Sequence, residues 1–419
     1  MTLPPILAAL KKHKAGVTLI TLQIALTLAI VCNAVFIIGQ RVERVNRPTG
    51  MDEQNLFVVQ QAYVNAPTGD APATVDKLDS MELRDLATLR QLPDVESAAA
   101  ISSLPLLQSA WNGGVGLKPD QQNATATSTY YFGDDQMLKT LGVRLVAGRN
   151  FTPDEIGHRA FRATGEPAMV VASKALADAL FPAGDALGKT VYLDGSATPT
   201  TIIGIVARLQ MPNGSWGDNF AWNSLLIPYR LDFEYTRTAV RAKPGRLAAA
   251  MREARKALLA VDPMRVISSP RGGGLGIIPF SEVRARAYRA DIGMAILMGV
   301  ICVILLCVTG AGIVGLTSFW VGQRRRQIGI RRALGATSAN VLHYFQLENL
   351  FIAGMGVVLG AIVAVGLNLS LMRQFQMDRM PVPYVLIGVV ALLALGQAAV
   401  FAPARRASRV SPVEATRSA

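Results

Sequence analysis

Cysteine is scarce in this 419-residue sequence: Cys32, Cys302 and Cys307 are the only three, and each lies inside a long apolar run. No disulfide framework can hold the charged part of the chain, whose stability must come from a buried core. Histidine is as scarce. His13, His158 and His343 are far apart in the sequence, so no His pair is available for metal binding or base chemistry. Charge is missing altogether from four stretches, 15–40, 292–323, 349–372 and 380–404. About 20 apolar residues cross a bilayer, so each stretch is predicted to be a transmembrane helix. The second is about 32 residues, or roughly 48 Å of helix, and is expected to run on as a stalk. The first follows Lys11, Lys12 and Lys14, but its apolar run is nearly twice that of a signal peptide and no clean cleavage site follows. Val31 is too large to precede a lipidated Cys32. An uncleaved anchor is expected.

What is present in excess is positive charge, a formal +13. Lys11, Lys12, Lys14, Arg324, Arg325, Arg326, Arg331, Arg332, Arg405, Arg406, Arg409 and Arg417 all fall in three short segments beside the apolar runs. Residues 41–291 sum to only about +2. Short cytoplasmic segments attract Lys and Arg while long exported domains escape that bias. The expected topology has both termini in the cytoplasm and 41–291 outside. The excess charge is a topology signal. Without aromatic interleaving it is a poor nucleic-acid footprint.

The expected organisation is a cytoplasmic amphipathic segment (1–14), a first span (15–40), a periplasmic domain (41–291), a second span with stalk (292–323) and a cytoplasmic elbow (324–348). A third span (349–372), a short loop (373–379), a fourth span (380–404) and a cytoplasmic tail (405–419) follow. Within the exported domain, strand patterns at 55–60, 95–102, 237–242 and 265–268 alternate with helical patterns at 80–92 and 245–259. Two β-α-β units thus flank a mainly β block, about 103–225, as one domain inserted into another. The block is expected to hold strands at 130–132, 190–193 and 200–206 and a short helix at 170–180. The fold class is an α-helical membrane protein with four transmembrane helices and a large periplasmic α+β domain. RGGGLG (271–276) is a joint, whether hinge or plain loop.

Candidate chemistry in that domain is thin. AGDALGKT (183–190) imitates a phosphate-binding loop, but Ala183 stands at its first glycine position, a helix precedes it and a strand pattern follows, so a turn is expected. Asp134–Asp135 and Asp154–Glu155 read as solvated loop carboxylates. Trp111, Trp216 and Trp222, with Asn112 and Asn213, read as core and loop anchors or as a ligand surface. No enzyme is expected and no metal site is assigned.

The elbow is more informative. In QRRRQIGIRRALGATSANVLHYFQLENL (323–350), Arg324–Leu334 continues a helical period, Gly335 can stop it, and Thr337 or Ser338 can cap a new helix over 339–350. Ile328, Ile330 and Leu334 put apolar side chains among the arginines, which lipid headgroups do not explain and a protein partner would. This segment resembles the cytoplasmic signature of MacB/FtsX-type ABC transporter permeases, the type VII or mechanotransmission class. It carries IGIRRALGA (328–336), then Phe345 and Glu348, then Gly354, Gly356 and Gly360. Gln327 stands where the family usually has glutamate. The endings PARRASRVSPVEATR and ALKKHKAG, and the exported YYFGDDQMLKTLGVRLVAGRNF, are similar to the family as well.

The resemblance implies a permease subunit without its own ATPase site, with ATP and Mg bound by a partner ATP-binding subunit. Docking of that subunit would use Ile330, Arg331, Arg332, Ala333, Leu334, Gly335, Ala336, Thr337 and Glu348. It also implies a second permease, as homo- or heterodimer, and a periplasmic adaptor with an outer-membrane channel as further partners. Gly356 and Gly360 allow close helix packing, within the chain or between chains. Efflux of a drug, peptide or metabolite is the expected activity; force transmission for signalling or hydrolase activation, or lipoprotein extraction, are the alternatives.

Overall fold

The computed structural model describes residues 14–161, 163, 165–213, 220–267, 276–375 and 379–408. Residues 1–13 of the amphipathic segment 1–14, Trp216, joint residues 271–275, loop residues 376–378 and the tail beyond 408 lie outside the described residues. The chain divides into two compact units, Asn46–Arg289 and the remainder.

The first apolar helix, α1, is Lys14–Val45. The Asn46–Arg289 unit opens with β1 (Leu56–Tyr63), α2 (Pro72–Arg90) and β2 (Val95–Ala100). An insertion follows: β3 (Trp111–Gly116), β4 (Ala126–Phe132), α3 (Met137–Leu141), β5 (Leu145–Gly148), β6 (Gly157–Ala160), β7 (Met169–Ser173) and α4 (Lys174–Leu180). It continues through β8 (Thr190–Leu193), β9 (Thr200–Val206), β10 (Ser224–Ile227) and β11 (Tyr229–Asp232). The unit closes with β12 (Tyr235–Ala242), α5 (Leu247–Val261), β13 (Arg265–Val266), β14 (Gly276–Pro279) and α6 (Phe280–Ala287). Four helices complete the chain: α7 (Arg289–Gln323), α8 (Arg325–Ala333), α9 (Ser338–Phe375) and α10 (Val382–Ser408).

The two β-α-β units interleave in one antiparallel sheet, order β13-β1-β12-β2, with β14 sharing the outer edge of β1. This is the split β-α-β arrangement, in which each unit contributes a central strand to the other. Strand alternation turns Phe57, Val59, Ala98 and Val240 to one face. There they pack with Leu89 of α2 and with Ala250, Ala254 and Leu258, one stripe of α5 at four-residue spacing.

The insertion builds its own sheet, order β5-β9-β7-β10-β4-β3-β8, in which β9 also pairs with β8. Six strands therefore close on themselves around Val115, Tyr130, Val170, Leu176, Val191, Ile202 and Leu225. Closure removes the open edges that an isolated sheet would expose. β6 and β11 form a separate parallel ribbon. The mixed domain with a mainly β insertion is the expected fold class. Residues 170–180, expected as helix throughout, instead divide: 169–173 is the β7 strand, and Ser173 caps α4 through its side chain to Leu176 N at 3.3 Å. α2 begins at Pro72, eight residues before the expected start, because proline at the first turn costs no hydrogen bond. Asp134 is not solvated. It is 3% exposed and accepts from Arg90 Nη2 at 2.7 Å and Ala100 N at 3.1 Å. Glu155 instead closes a capping box with Thr152 and takes a forked pair from Arg149.

Among the described residues, four helices are long and apolar enough to cross a membrane: Lys14–Val45, Arg289–Gln323, Ser338–Gln374 and Val382–Arg406. α1 is the most buried of them and α7 the least. Small residues let α1 and α9 touch: a Cβ on Gly356 would come within 2.8 Å of Ile24, and one on Gly360 within 2.8 Å of the Ala25 carbonyl oxygen. The Gly356/Gly360 pair thus packs within the chain. Polar side chains finish the contacts, with Asn33 Nδ2 donating to Ala364 O at 3.1 Å, Thr27 and Thr309 sharing a hydroxyl bond of 2.7 Å, and Gln23 Nε2 donating to Val308 O at 3.1 Å. Buried polar groups paired across helices are the usual glue of membrane bundles.

Candidate functional site

The elbow between the second and third apolar helices is built from two helix ends. α7 stops at Gln323, and after Arg324 the chain resumes as α8. Backbone bonds continue through that residue, from Arg324 N to Trp320 O (3.1 Å) and from Ile328 N to Arg324 O (2.9 Å). The expected single helix is therefore two, with a one-residue break. α8 ends as foreseen at Gly335, whose φ of +95° is left-handed and suits only glycine without strain. The amide of Ala336 then reaches back to Arg331 O at 3.0 Å, closing a Schellman turn. Thr337 caps the next helix, its Oγ1 accepting from Asn340 N at 3.2 Å. That helix does not stop at 350. α9 runs unbroken for 38 residues into the third apolar stretch, so whatever moves its first turn moves the span.

Glu348 locks the two sides together. It is 2% exposed, and both its oxygens receive Arg324 Nη1, at 3.1 and 3.0 Å. Sequence reading placed Glu348 with the docking residues and grouped Arg324 with the general arginine cluster. The carboxylate is held inside the chain by Arg324, whose side chain is 13% exposed. Below this pair, Ile328, Val341 and Phe345 are buried in the helical core. Arg331 lies over the Tyr344 ring, 5.2 Å from its centroid.

The remaining candidate residues face outward. Arg331, Ala333, Gly335 and Thr337 are exposed, Ala336 is half-buried, Ile330 is 46% exposed and Leu334 82%. The side chain of Arg332 lies outside the described residues. Leu334 is the most exposed large apolar side chain among the described residues. Gln327 is exposed too. The elbow therefore offers a protruding Leu334, with Ile330 partly exposed, in an arginine-rich segment on a base clamped by a buried ion pair.

In the Asn46–Arg289 unit, residues 181–189 form the expected turn; Gly184 and Gly188 have φ of +82° and +77°, and Lys189 pairs with Asp185 at 3.1 Å in the open. Trp222 lies under Arg208, 4.6 Å from the ring centroid, and Trp111 lines a cleft of about 250 Å³ between the split sheet and the insertion. Sequence reading missed one cluster altogether: His158, Asp79 and Asp232, from three separate elements, come together beside this cleft. Their sequence separation left no motif to find.

Comparison with known proteins agrees with this anatomy. Residues 17–258 match the model of the MacB-like periplasmic core domain, and residues 298–412 match that of the FtsX-like permease C-terminal domain. The macrolide export ATP-binding/permease protein MacB of Chromobacterium violaceum is 26% identical over 290 residues, covering 66% of this chain and 41% of that one. The uncharacterized ABC transporter permease YvrN of Bacillus subtilis is 25% identical, covering 68% of each. MacB 2 of Aeromonas hydrophila is 25% identical over 98% of this chain and 59% of its own length. The chain thus spans between about two fifths and two thirds of the length of these relatives. Among solved structures, the periplasmic region of MacB from Actinobacillus actinomycetemcomitans is similar at 14% identity and a TM-score of 0.34, covering 58% of this chain and 97% of that one. With both models matched, one of them over more than half of its length, this chain belongs to the family of MacB-like ABC transporter permeases.

Proposed function

We propose that this chain is the membrane subunit of an ABC transporter, in which a separate ATP-binding subunit docks on the elbow and drives motion of the periplasmic domain. The observation that carries the reading is Leu334, an apolar side chain 82% exposed at the end of a clamped, arginine-rich segment. An exposed leucine among cations gains little from lipid headgroups and much from an apolar pocket on a protein. ATP and Mg belong to the partner subunit. Closure of two such subunits would push two elbows, in a dimer of permeases. α7, continuous for 35 residues or roughly 52 Å, is stiff enough to carry the displacement across a bilayer. Arginine at the elbow and at Arg405 and Arg406 supports a topology with those segments, and both termini, in the cytoplasm of a bacterial inner membrane.

The apolar runs contain no Asp, Glu, Lys or Arg, which disfavours a charged path through the bilayer and favours mechanical work outside it. Expulsion of a drug, peptide or metabolite from the periplasm, through an adaptor and outer-membrane channel, is the activity this favours. The deciding experiment is co-purification with the genomically adjacent ATP-binding subunit in lipid nanodiscs, comparing wild type with Leu334→Asp. Wild type should retain its partner and hydrolyse ATP, and the variant should lose both while melting like wild type. An unchanged variant would remove the elbow from the docking surface.

A further inference from the structure

Three carboxylates and one imidazole converge where α2 meets the β6–β11 ribbon. Asp79 and Glu82 are one turn apart on α2, Asp232 ends β11, and His158 lies on β6 opposite Arg230 in the register. One ligand atom from each of Asp79, His158 and Asp232 lies within 4.8 Å of the other two. His158 Nδ1 is 2.8 Å from Asp232 Oδ2, and its Nε2 is 3.7 Å from Asp76 Oδ1.

The cluster is short of positive charge. Arg230 is committed to Asp79, donating from Nε to Oδ1 at 2.7 Å and from Nη2 to Oδ2 at 3.1 Å. Asp232 Oδ1 and Glu82 Oε2 are buried with no hydrogen-bond partner among the described residues, and the two residues are 4% and 5% exposed. Buried carboxylate oxygens that face no donor are costly, and a retained proton or a bound cation relieves them. Access exists, because the His158 side chain is 33% exposed and Glu82 lines the 250 Å³ cleft.

We infer that this cluster is a divalent transition-metal site, with His158, Asp232 and Asp79 as protein ligands and water completing the shell. An imidazole with two carboxylates suits Zn²⁺ and its neighbours; Mg²⁺ and Ca²⁺ prefer oxygen alone. Arg230 then holds Asp79 from outside the coordination shell, since each carboxylate oxygen keeps a second lone pair for the ion. The ion ties α2, in the split sheet, to the ribbon of the insertion. This site is independent of coupling to any ATPase.

The test is isothermal titration of the chelator-stripped full chain in detergent with ZnCl₂, beside melting curves with and without zinc. One saturable site per chain at low micromolar Kd or tighter, absent with MgCl₂, is expected, together with a zinc-dependent rise in melting temperature. His158→Ala and Asp232→Asn should each weaken binding about tenfold or more, whereas His343→Ala should leave it unchanged. The inference is overturned by wild type that neither binds zinc nor shifts its melting point, by binding that survives both variants, or by loss in His343→Ala. Should a variant fail to melt cooperatively, the visible spectrum of Co²⁺-loaded wild type decides, because a bound imidazole and low coordination number give intense bands that an octahedral aqua ion lacks.

Discussion

Arg324 and Glu348 meet with their side chains 13% and 3% exposed, joining the break after α7 to the fourth turn region of α9. At the far end of α7, Asp291 is bonded to Arg41 of α1. The least buried of the four apolar helices is therefore pinned by an ion pair at each end, while its middle meets α1 through Gln23, Thr27 and a small apolar contact of Cys302 with Val31 and Ala34. A helix held in this way can transmit displacement along its axis without dense packing along its length.

The elbow pair should show itself in stability. Removing one partner of a buried ion pair leaves the other uncompensated and costs about 3–5 kcal/mol. Glu348→Ala should lower the melting temperature of the purified chain clearly. Replacing both residues by leucine should recover much of the loss, and a double variant no better than Glu348→Ala would contradict a buried, desolvated pair.

Glycine substitutions separate packing inside the chain from open helix surface. Gly356→Val and Gly360→Val place atoms under 3.0 Å from α1, and such overpacking costs about 1–3 kcal/mol or more when backbone must yield. Gly354 meets nothing within 4 Å, so Gly354→Ala should be neutral or slightly stabilising. Melting curves in detergent at matched lipid content distinguish them. Equal effects at all three positions would contradict the α1–α9 contact.

Within the split sheet, Asp85 accepts from Arg265 Nη1 at 2.6 Å, Tyr63 OH at 2.7 Å and Gln61 Nε2 at 2.6 Å, with Arg265 and Asp85 side chains 0% and 2% exposed. Asp85→Ala should destabilise by about 3–5 kcal/mol. The open Lys174–Asp178 pair, 60% and 52% exposed, should give less than about 0.5 kcal/mol on Asp178→Ala. Denaturant titration of the two variants side by side measures the contrast.

Glu82 should impose a pH dependence. Burial, and then the charge of Asp232, push its carboxyl up from 4.5 to about 8. Because the folded value lies above the unfolded one, folding retains a proton, and stability falls as pH rises from about 4.5 to about 8 before levelling. The span is worth at most about 5 kcal/mol, at about 1.4 kcal/mol per pH unit. Glu82→Gln should remove that slope and be the more stable protein at pH 9. Melting temperatures in EDTA across pH 5–9 test this; parallel curves for the two proteins would refute it.

Much of the anatomy was legible along the chain because it depends on local composition. Runs such as 15–40 and 349–372 are apolar without interruption, and no tertiary contact is needed to say that they resemble membrane helices. The stop at Gly335 and the cap at Thr337 were legible for the same reason: left-handed backbone and a capping hydroxyl are properties of single residues. The fold class followed from strand and helix patterns flanking a β-rich block. Sequence could not decide which side chains meet. Arg324 and Arg325 are neighbours of identical chemistry, yet only Arg324 turns toward Glu348 while Arg325 is exposed. His158, Asp79 and Asp232 carry no spacing signal, since pairing of β6 with β11 and docking of α2 bring them together. Periodicity reports the local face of an element and hydropathy its solvent. Partnership between distant polar groups is set by how the elements pack, and that only the tertiary structure decided.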